Sequence, residues 1–256
     1  MQPLYLLKLL NTTSMKKKLK LFGIVLLILL GLVLSLPWFL SKPLPQGSPG
    51  PQADGLAIKM LNALNDTIYE QTRFLKWSYR GGENRYLWDK EMGVVWMQWQ
   101  EQRAKLFLSN PSKSKAWKNG KSLEGDEKKE VVETATDLFN NDSFWLVAPY
   151  KVFDPGTERR LVEWEGEKAL LVTYRTGGST PGDSYLWLLN DNGYPRAYLM
   201  WVNILPIGGL EASWDDWLVT QTGTFLPKSH KIGPVTLGMG PVESYSKKED
   251  IPALYW

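Results

Sequence analysis

Residues 185–201 read YLWLLNDNGYPRAYLMW and carry the clearest structural pattern in the chain. Two apolar runs rich in aromatic residues flank the dipeptide Asn192-Gly193. Asn-Gly is a strong hairpin signal, because both residues accept the positive φ that a tight turn between strands requires. The sequence therefore predicts two antiparallel strands, residues 184–190 and 194–203, joined by this turn.

Similar short runs of aromatic and β-branched residues lie on both sides of the hairpin, separated by Gly, Pro and Asn. Such spacing is typical of an antiparallel meander, and it predicts strands between residues 77 and 109 and again between residues 159 and 237. Apolar residues recurring at three and four positions predict helices at residues 56–76 and 127–140. The expected fold class is α+β, with one large antiparallel sheet whose apolar face is covered by two or three helices.

A membrane segment is predicted ahead of this domain. The run that begins at Leu21 and ends at Leu40 contains no charged residue and follows four closely spaced lysines. About 20 apolar residues, at roughly 1.5 Å each, match a hydrocarbon core of about 30 Å. We expect a single-pass signal-anchor over residues 21–40, with the basic residues 1–20 in the cytoplasm and the remaining chain outside a bacterial inner (plasma) membrane, in the periplasm.

Two other interpretations of residues 21–40 remain open. A cleaved secretory signal would have a shorter apolar core that ends in small residues, and a buried core helix is rarely apolar on all sides. Lipid attachment through a thioether is excluded, because the chain has no cysteine. Translation could begin at Met1 or at Met15, since Met15 also precedes a basic stretch.

Charge separates the N-terminal part from the rest of the chain. Residues 1–42 hold six of the 30 basic residues and no acidic residue, which leaves 24 basic against 27 acidic residues beyond them. The basic pI of the whole chain thus reflects the membrane flank, and no nucleic-acid partner is expected. Residues 41–55 are rich in Pro, Gly, Ser and Gln and predict an extended linker, followed by one extracytoplasmic domain over residues 56–256.

Two segments resemble a known family. Residues 185–201 resemble the hairpin of the LolA/LolB-like lipoprotein carrier superfamily, in which a turn containing Asp and a Pro separate two apolar strands. Residues 223–232, GTFLPKSHKI, are similar to the closing strand of such domains. The resemblance spans residues 56–240 in layout. It implies a half-open β-barrel whose mouth is plugged by helices, with an apolar cavity that holds acyl chains.

Catalytic and metal chemistry have little support in the sequence. His230 is the only histidine, it lies between two lysines in a strand predicted to be exposed, and no nucleophile elbow accompanies it. One His and no Cys cannot supply a zinc site. Asp215 and Asp216 would point to opposite faces of a strand and would not converge on one ion. We expect no enzyme activity, no cofactor, no metal and no catalytic residue.

The remaining functional indication is the content of 13 tryptophans. Many alternate along predicted strands, so each strand has one face rich in aromatic residues. These faces could line a cavity for a lipid, an acyl chain or a lipidated protein, or they could form an ordinary closed core of an envelope interaction module. A carbohydrate platform or a hydrolase is a lesser alternative. The candidate cavity residues are Trp88, Trp96, Met97, Trp99, Tyr185, Trp187, Tyr198 and Trp201.

Overall fold

The computed structural model of the chain describes residues 20–27, 31 and 40–252. Between residues 51 and 252 it is an α+β structure, as expected. The helices are α1 (Pro51–Ala63), α2 (Asp66–Gln71) and α3 (Gly125–Val147). The strands are β1 (Phe74–Tyr79), β2 (Asn84–Asp89), β3 (Val94–Trp99), β4 (Gln102–Phe107), β5 (Lys115–Lys118), β6 (Lys121–Ser122), β7 (Thr157–Trp164), β8 (Glu167–Tyr174), β9 (Ser184–Leu189), β10 (Pro195–Trp201), β11 (Leu210–Ser213), β12 (Asp216–Val219), β13 (Phe225–Ile232), β14 (Val235–Gly238) and β15 (Glu243–Tyr245).

Backbone hydrogen bonding groups these strands into three antiparallel sheets. The seven-stranded sheet has the order β15-β1-β2-β3-β4-β5-β6, the five-stranded sheet β11-β10-β9-β8-β7, and the three-stranded sheet β12-β13-β14. The predicted hairpin is confirmed, since β9 pairs with β10 and Gly193 adopts a φ of 91° in the turn between them. A Cβ atom at Gly193 would also lie 2.8 Å from the Lys59 carbonyl oxygen, so this turn packs closely against α1.

The helices differ from the predicted bounds for local reasons. The helix expected over residues 56–76 is divided into α1 and α2 because Asn65 adopts a left-handed conformation with a φ of 51°. Helix α1 begins at Pro51, inside the predicted linker, since proline fits the first helical position. Helix α3 continues to Val147, and Pro149 follows shortly after its end.

The five-stranded sheet is buried on both faces. Its inner face packs against α1 and the C-terminal half of α3 through residues such as Trp187 and Tyr198, which belong to one buried cluster. Its outer face buries a separate apolar cluster that includes Leu186 and Leu199. Strands buried on both faces read as continuous apolar runs rather than as alternating patterns. This explains why residues 185–201 contain so few polar positions.

The linker docks along the five-stranded sheet, from the loop between β10 and β11 to the free edge of β7. Ser48 forms an antiparallel bridge with Leu161 of β7, and the Lys42 amide donates to the Gly208 carbonyl at 2.8 Å. Gly47 fits so closely that a Cβ atom there would lie 2.7 Å from both the Leu161 carbonyl and the side chain of Val162. The linker is extended, as its composition predicts, and it is held in place by the sheet.

The predicted anchor, residues 21–40, lies in large part outside the described residues. Residues 20–27 are helical. Within the part of the chain that the structure describes, no helix combines the length and the apolar character needed to cross a bilayer. The anchor therefore stays a prediction.

Candidate functional site

Two groups of packed aromatic rings lie on either side of α3. The first aromatic cluster lies against the seven-stranded sheet and consists of Trp77, Tyr86, Trp88 and Phe139. The second aromatic cluster lies against the five-stranded sheet and consists of Phe144, Trp145, Tyr174, Tyr185, Trp187, Tyr198, Trp214 and His230. Helix α3 supplies Phe139 to the first cluster and Phe144 and Trp145 to the second, so it connects the two.

The second aromatic cluster is a continuous series of ring contacts. The Trp187 ring centroid lies 5.1 Å from those of Tyr198 and Trp214, and both contacts are edge-to-face. From α3, Phe144 approaches Tyr185 at 4.6 Å and Trp145 approaches Tyr198 at 5.7 Å. Such offset and edge contacts are the favoured geometries of aromatic pairs. The rings thus hold α3 against the five-stranded sheet.

The two clusters contain buried polar atoms that have no hydrogen-bond partner among the described residues. They are the indole nitrogens of Trp77, Trp88 and Trp187 and the hydroxyl of Tyr174. The Trp214 indole and the Tyr198 hydroxyl interact with each other. An unpaired buried donor costs about 1–3 kcal/mol, and such atoms are uncommon in folded proteins. All four atoms can donate a hydrogen bond. The interior therefore offers several donors to any group that carries oxygen acceptors.

The two tyrosine hydroxyls keep their protons. Burial raises the pKa of Tyr174 and of Tyr198 well above the ordinary value of 10.0. Both side chains are consequently neutral donors at any physiological pH, and neither provides a phenolate for nucleophilic chemistry.

The structure divides the predicted cavity residues among the two faces of the sheets. Tyr185, Trp187 and Tyr198 lie in the second aromatic cluster. Trp88, Met97 and Trp99 belong to, or pack against, the buried core that contains the first aromatic cluster. Trp96 packs on the opposite face of the seven-stranded sheet, and Trp201 packs on the outer face of the five-stranded sheet. Six of the eight residues thus face the interior around α3.

A buried carboxyl group lies beside the first aromatic cluster. Asp142 of α3 is fully buried and accepts hydrogen bonds from the Tyr86 hydroxyl at 2.6 Å and the Asn84 amide at 2.7 Å. The Asn141 amide donates to its other oxygen at 2.8 Å. Sequence reasoning missed this group, although Asp142 follows Phe139 by three residues and precedes Leu146 by four, which places it on the buried stripe of the helix.

His230 is buried, so the prediction of an exposed histidine was wrong. Its exposed fraction is 0%. The ring Nδ1 lies 2.7 Å from the Ser213 carbonyl oxygen, and Nε2 lies 2.8 Å from that of Trp145. The neighbouring Lys231 points to the opposite face of β13, which is why the flanking charges gave the wrong exposure. His230 connects the three-stranded sheet, the five-stranded sheet and the end of α3.

We expect acid to destabilise the domain through His230. Burial lowers the pKa of this ring below the ordinary 6.5, although the two backbone carbonyls oppose that shift. The unfolded chain then binds a proton that the folded chain does not bind, so the free energy of unfolding falls as the pH falls below 6.5. Urea unfolding between about pH 8 and pH 5 measures this effect.

The matched control for this titration is His230→Gln, which keeps a polar side chain but does not titrate. His230 is the only histidine in the chain. Any loss of stability around pH 6 that comes from histidine protonation therefore comes from this residue. The same pH dependence in the wild-type protein and in His230→Gln would contradict the assignment.

Two surface clefts of about 350 Å³ lie apart from the aromatic clusters. One is lined by Gln221, Thr222, Ser244, Tyr245, Ser246 and Asp250. Thr222 and Ser244 belong to a network of hydroxyls that hydrogen-bond to one another, with 2.6 Å between these two oxygens. These hydroxyls are hydrogen-bonded to one another and hold the β12–β13 turn against β15. The cleft therefore has a structural explanation.

The second cleft lies beside Lys90. The Lys90 ammonium group donates to the Tyr69 carbonyl and lies 3.4 Å from the centroid of the Tyr69 ring. Burial lowers the pKa of Lys90 to about 8. The contact holds the β2–β3 turn against the end of α2, and the lysine is engaged by Tyr69 from two sides.

Acidic side chains do not gather into a metal site in the part of the chain that the structure describes. Asp216 forms an ion pair with Lys228 at 2.8 Å and accepts from the Ser229 hydroxyl at 2.6 Å, and these hydrogen bonds hold the pKa of its carboxyl below the usual range. Asp216 thus lies at the start of β12, directly after Asp215 and beside the partner strand β13.

Comparison with models of known families and with curated proteins finds no match to the chain. The resemblance to lipoprotein carriers therefore remains a prediction, and the candidate site depends on the aromatic interior alone.

Proposed function

We propose that the chain is a membrane-anchored extracytoplasmic domain that binds a lipid, an acyl chain or a lipidated protein beside α3, without catalysing a reaction. One observation carries the proposal: the four unpaired donors inside the aromatic clusters. An acyl chain brings apolar surface, and each buried CH₂ contributes about 0.8 kcal/mol. Its ester, amide or carboxyl group also brings the oxygen acceptors that a plain hydrocarbon lacks.

The proposal includes one half-open barrel of the lipoprotein-carrier type, formed by the three sheets together. Two contacts across sheet boundaries support it. The Ser78 amide of β1 donates to the Met239 carbonyl at 3.2 Å, beside the end of β14. The Lys231 amide of β13 donates to the Ser213 hydroxyl of β11 at 3.0 Å. These contacts support an arrangement in which the three sheets follow one another in a single curved wall.

Ligand entry would require α3 to separate from the five-stranded sheet, because the aromatic rings fill the space between them. Three side chains at the end of α3 and on β13 oppose that separation. Phe144 and Trp145 pack on sheet residues, and His230 lies within hydrogen-bond distance of the Trp145 carbonyl. The bound ligand would replace ring contacts with acyl contacts and would give the buried donors their acceptors.

A photoactivatable phosphatidylethanolamine tests the proposal directly. The full chain is reconstituted in vesicles that contain this lipid, with a diazirine on the acyl chain, and cross-linked peptides are mapped by mass spectrometry. We expect cross-links on β9, β10 and the C-terminal half of α3. Cross-links confined to residues 21–40 would contradict lipid binding in the interior.

Tyr174→Phe sharpens this test, because it removes one unpaired hydroxyl and keeps the ring. We expect the free energy of unfolding to rise by about 1 kcal/mol, since a buried donor without a partner is lost. We also expect weaker cross-linking by the lipid. Urea unfolding and the cross-linking yield measure the two effects.

Tyr150→Phe is the matched control. The Tyr150 hydroxyl donates to the Phe225 carbonyl at 2.6 Å, so its removal should lower stability, opposite to Tyr174→Phe. A loss of stability in Tyr174→Phe would contradict the unpaired state of its hydroxyl.

A second candidate function is an envelope interaction module with a closed core. It is favoured by the packing of the interior, where Trp187, Tyr198 and Trp214 are fully buried. In that case Tyr174→Phe would still raise stability, but no lipid would cross-link to β9, β10 or α3. The two functions therefore differ in the cross-linking result and agree in the stability result.

A further inference from the structure

An exposed apolar loop joins β10 to β11. Residues 202–209 read VNILPIGG, and Ile204 and Leu205 have exposed fractions of 68% and 37%. Large apolar side chains that project together from a loop are a feature of interaction sites rather than of an inert surface.

This loop is bound to the residues that follow the predicted anchor. The Gly208 amide donates to the Ser41 hydroxyl at 3.0 Å, and its carbonyl accepts from the Lys42 amide at 2.8 Å. Ser41 comes directly after Leu40, where the predicted anchor ends. Since one residue spans at most about 3.6 Å, a bilayer entered at Leu40 would lie next to this loop.

The side chains around the loop have the chemistry of a membrane interface. The Trp201 indole donates to the Lys42 carbonyl at 2.7 Å and meets Trp164 edge-on, with 6.2 Å between the ring centroids. The Lys42 ammonium lies 5.2 Å from the Trp164 ring. Tryptophan and lysine both place apolar atoms toward lipid and polar atoms toward water. The Lys42 ammonium also lies 3.8 Å from a carboxylate oxygen of the exposed Glu165.

We infer that the β10–β11 loop, with Trp164, Trp201 and Lys42, is a membrane-contact surface that inserts Ile204 and Leu205 into the interface of the bilayer. The inference rests on the membrane anchor of the proposed function. The occupant is the lipid bilayer, because the loop is hydrogen-bonded to the point where the chain would leave it. Insertion of about 5–10 Å is typical of such interfacial contacts. The surface fixes the orientation of the five-stranded sheet relative to the membrane.

The absence of cysteine makes a sharp test possible. Ile204→Cys in the full chain gives a single site for a polarity-sensitive fluorophore. Met92→Cys is the matched control, because Met92 is equally apolar and has an exposed fraction of 60% in the β2–β3 turn. Both labelled proteins are reconstituted in vesicles of phosphatidylethanolamine with a minority of phosphatidylglycerol. Some of the lipids carry a nitroxide quencher near the headgroup.

We expect the fluorophore at residue 204 to shift to shorter wavelength and to be quenched by the nitroxide lipid, while the fluorophore at residue 92 reports water and is not quenched. Equal quenching at both sites, or no quenching at residue 204, would overturn the inference. A wavelength shift that depends on protein concentration and not on the quencher would assign the loop to a contact between two copies and would also overturn it.

This test and the lipid cross-linking can fail separately. Quenching at residue 204 without interior cross-links would overturn lipid binding and support the contact surface. Interior cross-links without quenching at residue 204 would do the opposite. If the full chain does not float with the vesicles, both the predicted anchor and the membrane-contact surface are contradicted.

Discussion

Trp187→Ala is expected to lower the free energy of unfolding by about 3–5 kcal/mol, the usual cost of deleting a large aromatic ring from a packed interior. The Trp187 ring has an exposed fraction of 0% and contacts the rings of Tyr198 and Trp214. Its removal leaves a cavity between α3 and the five-stranded sheet. Urea unfolding of the wild-type and variant chains, followed by circular dichroism, measures the loss.

Trp96→Ala is the matched control, because Trp96 is only partly buried and packs on the outer face of the seven-stranded sheet. We expect a smaller loss than for Trp187→Ala, since part of the Trp96 surface already contacts water. A smaller loss for Trp187→Ala than for Trp96→Ala would mean that the Trp187 ring borders open space, in which case the alanine variant should stay folded and take up less lipid.

Asp142→Ala is expected to lower the free energy of unfolding by about 3 kcal/mol. The substitution removes the shared acceptor of the Tyr86 hydroxyl and the Asn84 amide, and both donors lie in a region without water access. Each buried donor left without a partner costs about 1–3 kcal/mol. Chemical unfolding at neutral pH gives the value.

A double-mutant cycle separates this cost from simple loss of packing. In the Asp142→Ala background, Tyr86→Phe should restore part of the lost stability, because it removes one of the orphaned donors. In the wild-type background the same change should lower stability. Equal effects in both backgrounds would show that the hydrogen bond between Tyr86 and Asp142 contributes nothing.

The sequence predicted the local structure better than it predicted how the strands pair into sheets. The hairpin around Gly193 was predicted because its signal is contained in two adjacent residues. The division into three sheets depends on pairs far apart in the chain, such as Lys76 with Glu243, which no local pattern reveals. The break between α1 and α2 depends on one residue, Asn65, in a left-handed conformation that the apolar period does not encode.

Part of the candidate site was likewise predictable. Tyr185, Trp187 and Tyr198 alternate along two strands, and this pattern placed them on one face. The burial of His230 could not be inferred from its neighbours, because it depends on the carbonyls of Ser213 and Trp145 from other elements. The docking of the linker depends on the close fit of Gly47 against β7. The amino-acid composition of the linker does not predict such a contact.

The pairing of β15 with β1 sets an order of events during biosynthesis. Lys76 is opposite Glu243, so the edge of β1 gains its partner only when almost the whole chain has been made. At about 5–20 residues per second, translation leaves this edge unpaired for roughly 10–30 s. An unpaired strand edge is a template for association with other chains. The nascent protein therefore passes through a period in which this edge of β1 is unpaired, until β15 covers it in the finished fold.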